Sequence, residues 1–453
     1  MALLQGQGLA LNATFPEAVP DSASLKRVIG VSHFTFSSFN CIVGSGIFAI
    51  PALAAAIMGP AAILGYLVCA VLIGLVGLCF AEVGSRVSSA GGLYAYARVS
   101  LGPVAGGVAA TLLWLANSVA SGAALINFLA DTIGAFWPAL DRTLPRLAFF
   151  AAIYATLAAV NIRGTRAGAR LTMGFGLVKL GALVLLIAAG IFAIHGPNLH
   201  WGAWPPLRTV GQGAVLLFFV FMGLETGLGM SGEVMDPPRT VPRAIFLTLT
   251  LVAALYIGLQ LVSQGVLGAD LPHSTAALVD TATVVFGPWG TRVFVLVTIL
   301  SIGGYLAADM LCSPRTLYAP AEQGQLPRAL ARVHPRFGTP AVAIGTYTLL
   351  CFVAAASGSF RQLALVAASG TLMLYLICCL GLFRLRVRNV AMAGKPFRAP
   401  GGAFVPLAAC AIIVWMLASL TLPELLAALS IVIVSAIGYT IQQQVLDRRA
   451  RPS

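Results

Sequence analysis

Asn40-Cys41-Ile42-Val43-Gly44-Ser45-Gly46-Ile47-Phe48, with Pro51 just beyond, sets two glycines and a serine inside an apolar run. A second stretch repeats the interruption: Phe218-Phe219-Val220-Phe221-Met222-Gly223-Leu224-Glu225-Thr226-Gly227-Leu228-Gly229. Glycine inside a helix costs about 1 kcal/mol relative to alanine. In lipid a freed backbone polar group costs more still, so such breaks persist only where protein or a cavity satisfies them.

The surrounding sequence puts both runs in lipid. Of 453 residues, 59% are hydrophobic and only 9% are charged, whereas a soluble domain carries about 25% charged residues. The apolar residues are bundled into runs of roughly 20, enough to cross a hydrocarbon core about 30 Å thick. Spans are expected near 32–58, 61–84, 104–136, 146–161, 168–194, 210–235, 243–267, 288–319, 340–357, 362–386, 402–419 and 423–442. The fold class is therefore all-α integral membrane, with about twelve transmembrane helices. The chain is expected to divide into a tail (1–28), a helical core (29–387), two further helices (388–442) and a second tail (443–453).

The net charge of +13 follows topology rather than a nucleic-acid face. Basic residues gather in alternate loops, as at Arg163/Arg166/Arg170, Arg239/Arg243 and Arg384/Arg386/Arg388. By the positive-inside rule both termini are cytoplasmic. The eight cysteines lie in apolar runs without paired metal-site spacing, and read as small buried hydrophobes. The polar, mixed first 27 residues read as a tail, not a cleavable signal.

The first and sixth spans, which carry the breaks, are five helices apart. In a five-plus-five repeat they occupy corresponding positions, and an odd repeat length forces opposite orientations. Interrupted helices at matching positions of inverted repeats mark a substrate site at the midplane. Exposed amides there suit a carboxylate and exposed carbonyls suit an ammonium group. An α-amino acid has both. Glycines elsewhere, such as Gly74/Gly77 and Gly102/Gly106, fit simple close packing of helices. Gly44-x-Gly46-x-x-Ala49 also matches a dinucleotide fingerprint, but no strand precedes it and no acidic residue follows at the required distance.

Further motifs carry a resemblance. After the second span comes Ser89-Ala90-Gly91-Gly92-x-Tyr94, and after the sixth Glu233-Val234-Met235-Asp236-Pro237-Pro238-Arg239-Thr240-Val241-Pro242-Arg243-Ala244. After the eighth come Arg315-x-Leu317-Tyr318-Ala319, Gly324-x-Leu326-Pro327 and His334-Pro335-x-x-x-Thr339-Pro340. With Gly44-Ser45-Gly46-Ile47-Phe48 and Pro51, these resemble the amino acid–polyamine–organocation superfamily over about residues 30–440. The resemblance implies a leucine-transporter-like core of ten helices, an inverted repeat with discontinuous helices 1 and 6, plus two peripheral helices, working by alternating access. Carried over by position, the amides around Gly44, Ser45 and Gly46 would hold a substrate carboxylate. The carbonyls of Val43, Phe219 and Met222, next to Gly223, would receive its amine. Phe221 and neighbouring ring side chains would cap or gate the pocket, and Ala116, Asn117 and Ser121 would line the side-chain subsite. Their small size points to a small or neutral L-amino acid. The resemblance to proton-coupled bacterial members implies a bacterial inner membrane and a proton gradient as driving force. No cofactor, nucleic acid or obligate protein partner is expected besides the bilayer and the substrate.

Ionisable residues inside spans are costly and read first as functional. Lys179 has no other charge on its turn and, by the resemblance, stands where sodium-coupled relatives bind their cation. The competing reading is a lysine snorkelling from a helix end. Asp309 is expected either to pair with Lys179 as a proton relay or to bridge to Arg315. Glu225 resembles a pH sensor of related exchangers, or else caps or bridges a neighbouring helix. Glu82 reads as a cytoplasmic partner of Arg86 or another loop arginine, and His33 as structural. Motifs of membrane enzymes are absent from the sequence, and polar residues gather at two breaks rather than along a channel lining. Symport, exchange and export stay open.

Overall fold

A computed structural model describes residues 30–87, 92–163, 168–223, 237–322, 326–392 and 396–450. The described residues are helical and turn, without strand. In chain order the helices are α1 (Val31–Ile42), α2 (Ile50–Met58), α3 (Ile63–Arg86), α4 (Gly92–Leu101), α5 (Pro103–Thr111), α6 (Ala120–Gly134), α7 (Thr143–Arg163) and α8 (Gly168–Gly190). They continue as α9 (Leu207–Phe221), α10 (Pro237–Leu267), α11 (Ala277–Phe286), α12 (Pro288–Cys312), α13 (Arg315–Glu322), α14 (Ala341–Ser357), α15 (Phe360–Val387), α16 (Phe404–Ser419) and α17 (Leu422–Ala450).

Among the described residues, seven helices are long and apolar enough to cross a membrane, and shorter apolar helices supply further spans. Lipid-facing apolar side chains such as Leu426, Ile433, Val434 and Ile437 on α17 stand exposed, as a bilayer solvent allows. The protein is a multi-pass, all-α membrane protein.

Each expected span meets a helix, and the first is broken as the sequence requires. α1 stops at Ile42, and Val43 leaves the helical region with ψ 76°. A 3-10 turn over Gly46–Phe48 follows, and α2 then starts with Pro51 in its first turn, where a missing N–H costs nothing. In the sixth span α9 stops at Phe221; Met222 is extended and Gly223 has φ 113°, a backbone region closed to most other residues, and the rest of that span lies outside the described residues. Two features were not expected. The third span passes from α5 to α6 through a π-helical segment, Leu112–Val119. The short helix α11 separates α10 from α12.

The spans pack in two groups. α1 packs on α10, α10 on α3 and α3 on α9, with α2 against α9; α6, α7, α12 and α14 form a second set. These are spans 1, 2, 6 and 7 against 3, 4, 8 and 9, so each group takes the same ordinal members from both five-span halves. α8 contacts both α10 and α12, while α15 reaches α3, α9, α6 and the π segment. The fifth and tenth spans thus lie between the groups, alongside the breaks.

Candidate functional site

The two breaks abut. A Cβ added to Gly46 would sit 2.8 Å from the Phe219 ring and 3.0 Å from Val220. Glycine at position 46 is therefore needed for approach, not only for the chain reversal. Tyr256 of α10 ties the two ends together: its hydroxyl lies 3.0 Å from the Ile42 carbonyl and 2.9 Å from the Val220 carbonyl. The Ile42 carbonyl also accepts the Gly44 N–H at 2.6 Å. The Tyr256 ring is fully buried and meets Phe221 edge-on at 5.2 Å.

Beside the breaks is a cavity of about 300 Å³, at the small end of ligand pockets. Gly44, Ser45, Gly46, Phe219, Met222 and Gly223 line it from the breaks, and Asn117 and Ser121 from the third span. Lys179 and Asp309 also face it. The sequence reading thus finds most of its candidates in one place. It had not anticipated the α12 wall, where Ser301 meets Ser45 at 3.1 Å and Tyr305 also faces the cavity. Ser118, in the π segment, was missed as well; π turns recur at functional sites, and the Asn117-Ser118 pair in an apolar run was the available signal.

Three candidates lie elsewhere. The Phe221 ring, expected over the pocket, packs instead into the core between Tyr66 and Tyr256. Phe219 is the aromatic that faces the cavity, edge-on to Phe360 at 5.8 Å. Ala116 is buried against Gly370 of α15, because the π segment turns it toward that helix. Val43 contributes its carbonyl rather than its side chain, and that carbonyl accepts a hydrogen bond from the Lys179 ammonium.

The ionisable residues separate by environment. Lys179 points inward to the break rather than along the helix to a membrane surface. The Asp309 carboxylate accepts from Ser313 Oγ at 2.6 Å and from Tyr347 Oη at 2.6 Å. Arg315, its alternative partner in the sequence reading, donates to the Leu311 carbonyl. Lys179 and Asp309 therefore share a cavity while each holds other groups. Glu225 lies outside the described residues. Glu82 is away from the cavity and fully buried, bound by Arg86 Nη2 at 2.9 Å, Arg386 Nη2 at 2.5 Å and the Ala399 N–H at 2.9 Å. It fastens the C-terminal end of α3 to α15 and the loop after it, the arginine partnership expected of it.

The Gly44 N–H is given to the Ile42 carbonyl at 2.6 Å, so the first break brings main-chain groups of Ser45 and Gly46 to the cavity wall, with Phe219, Met222 and Gly223 of the second break beside them. In comparison with known proteins, residues 29–441 match the family model described as amino acid permease. An uncharacterized transporter of Mycobacterium tuberculosis is 30% identical over 442 residues, 96% of this chain and 95% of that protein. The serine/threonine exchanger SteT of Bacillus subtilis is 27% identical, covering 85% of this chain and 89% of that protein. The methylthioribose transporter of the same organism is 26% identical, covering 88% and 89%. From the match over nearly the whole chain, this protein is a member of the amino acid permease family, within the amino acid–polyamine–organocation superfamily.

Proposed function

We propose that this permease takes up small or neutral L-amino acids by alternating access, driven by a proton gradient across a bacterial inner membrane, with both termini cytoplasmic. The observation that carries the reading is the Lys179 ammonium bonded to the Val43 carbonyl within the cavity beside Gly44–Gly46. A cation held on a half-helix C-terminus satisfies its exposed carbonyls and dipole. The Lys179 ammonium and a substrate amine would compete for the same carbonyl oxygens, so proton loss from one and entry of the other are linked. Val43, Phe219 and Met222 would then receive the substrate amine, and the Gly44–Gly46 amides its carboxylate. Asp309, about 12 Å along α12 from Ser301 by helix rise, supplies a second proton-accepting group nearer the Arg315 end. The names of relatives support a neutral substrate through the serine/threonine exchanger and a branched-chain amino acid permease of Bacillus subtilis, 22% identical.

The test is uptake of labelled amino acids into proteoliposomes with and without an inward proton gradient. Wild type should accumulate a neutral amino acid with the gradient and lose that accumulation on adding a protonophore. Lys179→Gln should remove the gradient dependence. Undiminished proton-driven accumulation in the variant would sink the coupling role. Uptake that needs internal amino acid and ignores the gradient would identify an exchanger instead.

A further inference from the structure

Several buried hydroxyls in this protein bond the carbonyl four residues back. Thr132 donates to Phe128 at 2.8 Å, Thr281 to Ala277 at 2.7 Å, Thr298 to Phe294 at 2.7 Å and Ser369 to Leu365 at 2.7 Å. Ser121 does not. It is only 4% exposed, it lines the cavity, and its Oγ has no hydrogen-bond partner. The π segment ends just before it, at Val119. The polar neighbours on the wall are occupied: Ser45 with Ser301 at 3.1 Å, Ser118 with the Leu113 carbonyl at 3.2 Å, and Asp309 with Ser313 and Tyr347. Leaving a buried hydroxyl unpaired is costly; Thr35, Ser38 and Ser263 also lack a partner, and among these hydroxyls it is Ser121 whose residue lines the cavity.

We propose that Ser121 reads a hydroxyl on the substrate side chain, so that hydroxy amino acids of the serine and threonine class are bound in preference to alkyl isosteres. This rests on the cavity being the amino acid site. A hydroxyl can both give and take a hydrogen bond, and pairing it with the substrate satisfies two buried groups together. An alkyl isostere of the same volume leaves Ser121 unpaired, which is how polar sites reject analogues lacking the group. One neutral pair of this kind corresponds to a preference of about tenfold.

The experiment measures affinities of L-threonine and L-2-aminobutyrate, and of L-serine and L-alanine, for purified wild type and Ser121→Ala. Wild type should favour the hydroxylated member of each pair about tenfold, and the ratio should fall toward one in the variant. Melting midpoints of both proteins check that the variant is folded. A ratio near one in wild type, which needs no variant, overturns the inference while leaving the amino acid site intact. A ratio unchanged by Ser121→Ala overturns it too. Binding of none of the four overturns the amino acid reading itself.

Discussion

Replacing Tyr256 by Phe removes one oxygen from the place where the two broken helices are held together. The ring should stay, since it is fully buried and braced at 5.2 Å by Phe221 and at 6.4 Å by Tyr66. What goes is a donor lying 3.0 Å and 2.9 Å from the Ile42 and Val220 carbonyls. A hydroxyl carries one proton, so it serves one carbonyl at a time and links the two breaks through either. A net hydrogen bond is worth about 1 kcal/mol, rising to about 3 kcal/mol where the carbonyl it leaves has no other partner; the Ile42 carbonyl keeps the Gly44 N–H at 2.6 Å. If the breaks are pre-organised by this link, the variant must order them when substrate binds. Affinity should then fall by a factor between about 5 and 150, the same energies expressed as ratios. The assay is equilibrium binding to detergent-purified protein of whichever amino acid stabilises wild type most in a thermal-shift panel. Affinity within twofold of wild type, with only the melting temperature lowered, would refute the reasoning and reduce Tyr256 to a packing residue.

Other perturbations have equally definite outcomes. Asp309→Asn keeps the volume but removes the group that accepts from both Ser313 and Tyr347; proton-driven uptake should slow and its pH profile flatten. Tyr347→Phe, which deletes one of those donors, should shift that profile without abolishing it, as read from initial rates across pH. Glu82→Ala leaves the Arg86 guanidinium buried beside no carboxylate, a change that costs about 3–5 kcal/mol. The detergent melting temperature should drop by several degrees, checked by scanning fluorimetry. Gly223→Ala forces a side chain into φ 113°, and transport should be lost at a protein yield near that of wild type.

The breaks were legible because glycine clusters in an apolar run are a local signal with a local cost. Span number and order were legible for the same reason: hydrocarbon length and loop charge act along the chain. What escaped depended on distant segments. Tyr256 reads as one more aromatic in an apolar helix until the two carbonyls it reaches are known. Ser301 and Tyr305 gain their place only when α12 packs on α6. Phe221 was misassigned because the face of a residue at a helix end depends on the turn where the helix stops, and here the ring turns into the core. Ala116 shows the effect of the π segment, whose extra residue per turn rotates the wall by an amount that periodicity does not reveal. Lys179 was recognisable as a costly charge; its partner, a main-chain carbonyl, has no signature in sequence.

The most direct test of a substrate site at the meeting of the two breaks is counterflow in proteoliposomes loaded with an unlabelled neutral amino acid. Wild type should accumulate external label transiently above equilibrium. Gly46→Ala, whose new Cβ would fall 2.8 Å from Phe219, should lose the overshoot. Gly74→Ala on α3, where an added Cβ meets nothing within 4 Å, should keep it. An overshoot that survives Gly46→Ala, or a wild type that shows none with any amino acid, would contradict the account.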